Sequence, residues 1–354
     1  LALFDKQSAD FKPYYVTPIV IEGELTAVSE VEGVRCPDVV YPKYQGWGFT
    51  EVELDPISMT NAQQAIELSD DPMFRSMLWT SLLNSDEADL IVLLDSFASE
   101  KNDRIINQVY THYVDKLNLL ERQGDESFKE ISLRLENLLW QQLSMNAEGD
   151  SSQILRFEKY VELARSPSAH ANLVKLLDDK EVIPGFTVNQ DQRWEVIQHL
   201  AVLNQKLAEN YLQAEKQIDT SDSGRLAAIA VEASMPDLAI KEKWLAMILD
   251  NENPLPLSSQ RWAMENLFPA NQADLQEQFM SEFLKALPMI RATRDDYYQR
   301  TYATELFAGL CSDVAIEKMR SALDKDKIGT TLSRFLSENI QMAEQCLEQK
   351  ITTD

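Results

Sequence analysis

The sequence predicts a mainly α-helical protein in which a small β-strand segment precedes a long series of paired helices. Three observations predict it. Alternation of apolar and polar residues is confined to the stretch before about Asp55, and from Pro56 almost to the end the apolar residues recur with a period near 3.6. The breaks between periodic stretches are short and polar or contain proline, with no low-complexity linker. With 354 residues, 44% of them hydrophobic, the chain can bury a large core and form more than one domain.

In chain order, Tyr14 to Ile21 is rich in β-branched and aromatic residues and is broken at Gly23, which predicts a strand. Val39-Val40-Tyr41-Pro42 predicts another, followed by a turn-rich Lys43 to Gly46. In Trp47 to Leu54, Val52 and Leu54 alternate with Glu51 and Glu53, so the two stretches are expected to form a strand pair with one wet face. So small a sheet needs partners for its apolar face from the following helices or from outside.

Helices follow. Phe74, Met77, Leu78 and Leu82 share one face, as do Leu90, Leu93, Leu94 and Phe97, and the break at Asn84 to Asp86 makes them an antiparallel helix pair. Longer stripes run through Ile106, Val109, Tyr110, Tyr113, Leu117 and Leu120, then Phe128, Ile131, Leu135, Leu138 and Leu139. Asp71 before Pro72 supplies a cap with proline at the first helical position, and Met235-Pro236 is read as a similar start. Breaks are expected at Gly124, Asn146 to Ser152, Ile183 to Asn189 and Asn251 to Leu257. Helices of one or two dozen residues joined by such turns fit a superhelix of stacked α-hairpins of the HEAT or armadillo kind better than a closed bundle, although no clean repeat of fixed period is visible. Residues 1–55 are thus assigned to the β segment and 56–354 to the helical domain.

The formal net charge is −25, so the average surface repels phosphate backbones and anionic lipid, and nucleic acid is excluded as a partner class. No apolar run reaches the length of a membrane-spanning helix. The opening residues lack the basic start and apolar stretch of a secretory signal and do not begin with Met, so the chain is expected to be cut from something longer. Cys36, Cys311 and Cys346 are far apart without metal-like spacing, and all are expected to be packed thiols. Composition leaves the compartment open.

Zinc hydrolysis of the gluzincin type needs two His on successive helical turns with a Glu between them, and His112, His170 and His199 stand at no such spacing. No Gly-x-Ser-x-Gly elbow, Cys-His pairing or phosphate-binding glycine loop is present. Acid pairs such as Asp70-Asp71 and Asp178-Asp179 are read as caps and solvated faces. Catalytic, metal and cofactor residues are therefore assigned to none of this chain.

Several segments resemble the C-terminal region of aminopeptidase N-like zinc metallopeptidases. Val39-Val40-Tyr41-Pro42 to Trp47-Gly48-Phe49, leading into Glu51-Val52-Glu53-Leu54-Asp55, is similar to the last strands of the family's small β-sandwich, with Lys43 where the family usually has Asn. Asp71-Pro72 with Arg75 and Trp79 resembles the first helix of the helical domain. Ile183-Pro184-Gly185-Phe186 followed by Asp191, Arg193 and Trp194 resembles a turn and Arg-Trp helix start, and it is the most specific segment. Asp219 to Gly224 with Pro236, Lys243 and Trp244, and Thr331 to Leu336 around Arg334, resemble later units. Ala263-Met264-Glu265-Asn266 spells most of the family's exopeptidase motif. Trp262 replaces its glycine, however, and the segment falls inside a helical pattern whose backbone groups are already paired, so it is read as coincidence.

The resemblance implies a parent enzyme that removes N-terminal residues from peptides, with zinc held in a catalytic domain outside this chain. It implies that the helical domain caps the active-site chamber and controls substrate access, with the parent's N-terminal and catalytic domains and peptide substrates as partners. Arg75, Arg193, Lys243 and Arg334 are the candidate chamber contacts, because a peptide's C-terminal carboxylate needs a cation in an acidic shell. Trp79, Gly185, Trp194 and Trp244 are the matching structural positions. Each Arg-Trp pair also admits a packing role, with Trp anchoring an interface and the Arg head meeting a carboxylate. The alternative function is a free-standing HEAT-like scaffold that binds a partner protein.

Overall fold

The computed structural model describes all residues except 7–10, 86–88, 146–150, 181–182 and 354. Its contacts divide the chain into two compact units, Leu1–Asp115 and Lys116–Asp354.

The first unit begins with a three-stranded antiparallel sheet of β1 (Ala2–Phe4), β2 (Pro13–Val16) and β3 (Val39–Tyr41) in the order β2-β1-β3. Leu3 lies opposite Tyr15 on one side and Val40 on the other. The expected strand over 14–21 is cut short because the last ladder donor is Thr17, whose N–H meets the Leu1 carbonyl, and Pro18 has none to offer. The expected partner of β3 is also corrected. Residues 47–54 form no ladder, because Gln45 (φ 63°) and Gly46 (φ 73°) turn the chain away and leave Trp47 and Phe49 exposed. The wholly buried β1 takes their place beside β3.

Four helices complete this unit: α1 (Pro56–Leu68), α2 (Pro72–Leu83), α3 (Leu90–Phe97) and the first turns of α4 (Asp103–Gln123). Asp55 and Asp71 cap α1 and α2 with Pro at the first helical position, and Asp89 caps α3. Both helices expected of the α2–α3 pair are present, but α3 packs more on α1 than on α2, and residue 86 of the break between them lies outside the described residues. The sheet packs on α2: the Phe4 ring stacks on Phe74 at 4.3 Å, and the Tyr41 hydroxyl donates to the Met77 carbonyl at 3.0 Å. From α1, Ser58 Oγ accepts the Val40 N–H at 2.8 Å and Asn61 donates to the Asp38 carbonyl at 3.0 Å, so side chains satisfy the outer edge of β3.

The second unit holds the end of α4 and α5 (Ser127–Met145), α6 (Ser151–Leu163), α7 (Pro167–Leu177), α8 (Gln190–Leu203), α9 (Gln205–Ile218), α10 (Asp222–Ser234), α11 (Leu238–Leu249), α12 (Leu257–Asn266), α13 (Ala273–Thr293), α14 (Asp296–Glu305), α15 (Asp313–Ala322) and α16 (Lys325–Thr353). Alternate helices stack: α6 on α8, α8 on α10, α10 on α12, α12 on α14 and α14 on α16, while α11, α13 and α15 succeed one another as a second layer. This is a run of stacked helices in which the apolar stripes of alternate helices are buried against one another. The break expected at Asn146 to Ser152 lies largely outside the described residues.

The other breaks have local causes. Gly124 takes φ 73° after α4, with its N–H on the Glu121 carbonyl and that of Asp125 on Leu120, a Schellman ending that a left-handed glycine permits. Asn189 opens α8 with a full capping box through Gln192. Helix α11 starts two residues later than Met235-Pro236 suggested. The cap is Asp237, which offers the Ile240 N–H a carboxylate acceptor that Met cannot.

The expectation of three packed thiols is corrected as well. Cys311, between α14 and α15, and Cys346, in α16, form a disulfide with Cα atoms 5.6 Å apart, and Cys36 is exposed. A separation of 35 residues gave no sequence signal, because only the stacking of α15 on α16 brings the two together.

Candidate functional site

Between α6, α8 and α12 in the second unit lies a cleft of about 440 Å³. Its walls carry Glu158 and Glu162 from α6, Glu195 from α8 and Glu265 from α12, with Lys159 and His199 beside them. Successive helical turns explain the placement: Glu158 and Glu162 are four residues apart and so project from one face of α6. Lys159 is held by Glu162 at 2.9 Å and Glu265 by Arg261 at 3.1 Å, while the Gln198 amide donates to Asn266 at 2.6 Å and ties α8 to α12 across the floor.

The electrostatics follow from crowding. Glu195 is raised above the usual carboxylate range, first by desolvation and then by the charges of Glu158, Asp191 and Glu162. Glu265 is raised by desolvation against the opposing pull of Arg261. His199 is pushed down to about 4, chiefly by burial, and is neutral at pH 7. Its Nε2 and that of His170 (3.3 Å) both meet the Ala164 carbonyl, so each must carry its proton on that nitrogen. A cleft of this kind attracts an ammonium or guanidinium group and offers a neutral imidazole beside it.

The described residues do not make a zinc site. Among them no group of three or more His, Cys, Asp or Glu is placed to hold a metal ion, and the His pair is turned onto a backbone carbonyl.

None of the four candidate cations lines this cleft. Arg75 on α2 grips Glu100 with Nε at 3.0 Å and Nη2 at 3.1 Å, and donates to the Ser69 carbonyl at 2.9 Å. Burial pushes Glu100 up, but the hydrogen bonds from Arg75 and the Asn102 and Lys101 amides outweigh it and leave its pKa lowered. Arg193 on α8 grips Glu215 at 3.0 Å and donates to the Leu177 carbonyl at 3.2 Å. Lys243 on α11 pairs with Glu232 at 2.7 Å and lies over the Trp244 ring. Arg334 on α16 pairs with Glu338 at 2.9 Å along its own helix.

The matching structural positions are buried or conformationally specific. Trp79 packs edge-on to Phe97, and Trp244 sits in the core of the second unit. Trp194 donates Nε1–H to Asp219 at 2.8 Å. Gly224 lets that carboxylate approach, since a Cβ there would lie 2.3 Å from Asp219 Cγ. Gly185, at φ 73° behind Pro184, forms a type II turn closed by the Phe186 N–H on the Ile183 carbonyl at 3.1 Å.

Sequence reasoning missed the acidic cleft, because its glutamates belong to three helices and look like solvated faces one at a time. Ala263-Met264-Glu265-Asn266 lies in α12, in helical conformation as expected, and the cleft uses its Glu265 and Asn266 side chains.

A stacked-hairpin helical domain behind a short sheet is the class of protein this fold defines. The family model described as "ERAP1-like C-terminal domain" matches residues 39–345, and the chain belongs to that family. It is 21% identical over 336 residues to a Streptomyces lividans protein named Aminopeptidase N, an alignment that covers 92% of this chain and 39% of that relative. The chain thus spans well under half the length of the curated relative it matches.

Proposed function

We propose that this chain is the non-catalytic C-terminal domain of a zinc aminopeptidase that removes N-terminal residues from peptides, and that it caps the active-site chamber and controls substrate access. The family match over residues 39–345 carries this reading. In it, residues 1–55 end a small β-sandwich and 56–354 form the cap, docked on the N-terminal and catalytic domains of the parent chain. The zinc and its ligands belong to the catalytic domain. Two features support the reading. The acidic cleft suits the cationic side chains and termini of peptides, and Ile21, Leu25, Trp47 and Phe49 give the first unit an exposed apolar surface suited to docking. Lys243 and Arg334, whose side chains are 50% and 70% exposed, are the cations best able to meet a peptide carboxylate, whereas Arg75 and Arg193 are engaged by buried acids.

The test compares the parent protein with a version lacking residues 56–354 and with the isolated chain. The isolated chain should fold, hold no stoichiometric zinc and cleave no aminoacyl substrate. The shortened parent should lose its discrimination between short peptides and long polypeptides. One tightly held zinc in the isolated chain, with activity lost on chelation, would falsify the reading. The reading frame upstream of Leu1 discriminates further: a His-Glu-x-x-His motif supports the peptidase, and a nearby start codon the free-standing scaffold.

A further inference from the structure

We propose that the Cys311–Cys346 disulfide is a redox-sensitive clasp that fixes the last turns of α16 to the end of α4. The buried stripe of α16 runs through Ile328, Leu332, Leu336, Ile340 and Ala343, after which only the partly buried Leu347 continues it. Gln341, Met342, Gln345 and Glu348 face solvent. Among the described residues 344–348, therefore, the helix is held by little apolar contact. Those residues carry the exposed Arg320–Glu344 ion pair, a weak restraint in water, and the disulfide in the turn where the stripe fades.

The other half of the clasp is firmly set. Leu310 is buried, and Ser312 caps α15 by accepting the Ala315 N–H at 3.0 Å while donating to Glu277 at 3.1 Å. Cys311 between them is thus anchored on a fixed corner, and its bond transmits that rigidity to the end of α16. The Cys346 carbonyl in turn accepts the Gln123 amide at 3.0 Å, which joins residues 223 positions apart at the end of α4. One covalent bond therefore holds a contact between the first and last helices of the second unit.

Both cysteines are half-buried, so a small dithiol can reach them. A thiolate of the reductant attacks one sulfur, the protein's S–S bond breaks and a mixed disulfide forms. The reductant's second thiol then displaces it. Cys311 and Cys346 gain two electrons and two protons as thiols, and the dithiol leaves as its cyclic disulfide. The clasp is closed under the thiol poise of an oxidising compartment and opens under a reducing one.

Hydrogen exchange on the intact protein, with and without dithiothreitol, reads the clasp directly. Reduction should accelerate exchange at residues 341–348 by about tenfold or more, with a smaller rise at the end of α4 and none in α8 or α10. C346S should show the same pattern without reductant. If that variant aggregates, titration of the native protein with dithiothreitol reads the same amides. Unchanged exchange on reduction overturns the proposal, as does a uniform rise throughout the second unit, and so does alkylation of three cysteines in the unreduced protein.

Discussion

Lys241 illustrates what a single buried side chain does here. Fully buried on α11, its Nζ donates to the carbonyls of Ala233 at 2.7 Å and of Leu267, which end α10 and α12, and it lies near the Phe268 ring. Helix C-termini carry unpaired carbonyls and partial negative charge, so one amine closes two helices. Burial pushes Lys241 down from 10.5 to about 7, and a neutral amine still has two N–H groups for these two acceptors. Between those pH values the unfolded chain binds the extra proton, so this residue's contribution to stability grows as pH rises from 7 towards 10.5 and is lost as pH falls through 7. Urea midpoints measured from pH 6 to 10 should show that slope, and K241M should abolish it. K241M should also cost about 2 kcal/mol or more by leaving two buried carbonyls without donors.

Arg193 and Glu215 make the corresponding acidic case. Burial raises the Glu215 pKa, but hydrogen bonds from Arg193 and Gln190 outweigh it and leave the carboxyl below its ordinary range. The pair stabilises the fold above the ordinary carboxylate range, and that stability is lost as pH falls through the lowered value. Because Glu215 is only 1% exposed, R193A strands a buried charge and should cost about 3 kcal/mol or more in urea unfolding. E215Q in the R193A background should recover part of that loss.

At the scale of elements, the caps and the disulfide set which helices stay in place. Asp55 accepts the Ile57 and Ser58 N–H groups and the Ser58 hydroxyl, and the same hydroxyl accepts the Val40 N–H. D55A should therefore cost about 1–2 kcal/mol, the upper part of the range for a cap, because it also loosens the α1 hold on β3. The melting temperature checks it. The disulfide closes a segment with a separation of 35, which removes about 4 kcal/mol of unfolded-chain entropy in the loop-closure view. Thiol titration of the denatured protein should find one reactive cysteine, Cys36, and three after reduction, accompanied by a lower melting temperature.

For the whole molecule, the net charge of −25 makes the folded state repel itself, so moderate salt should raise the melting temperature through screening. A scan from about 10 to 200 mM NaCl should show a monotonic rise, and a flat response would mean that the acids are locally compensated. The acidic cleft belongs to this scale too. On the proposed function, E195Q with E265Q in the parent protein should weaken the hydrolysis of peptides rich in Lys and Arg more than that of neutral ones, because the double change removes two of the four lining carboxylates. Steady-state kinetics on paired substrates would show it, and equal losses would place the cleft outside the substrate's path.

Along the chain, what the sequence determined is local. The 3.6-residue stripes set the helices, and Asp71-Pro72, Gly124 and Pro184-Gly185 set their ends, because caps and turns are satisfied by residues a few positions away. Distributed family segments such as Asp191-Arg193-Trp194 fall at the start of α8 inside the matched region. Only the tertiary structure decided the rest. β3 chose β1 over residues 47–54, Cys311 found Cys346, Lys241 closed two helix ends, and four glutamates from three helices converged on one cleft. Each of these joins elements far apart in sequence, and periodicity records only which face of a helix is buried, not which partner buries it.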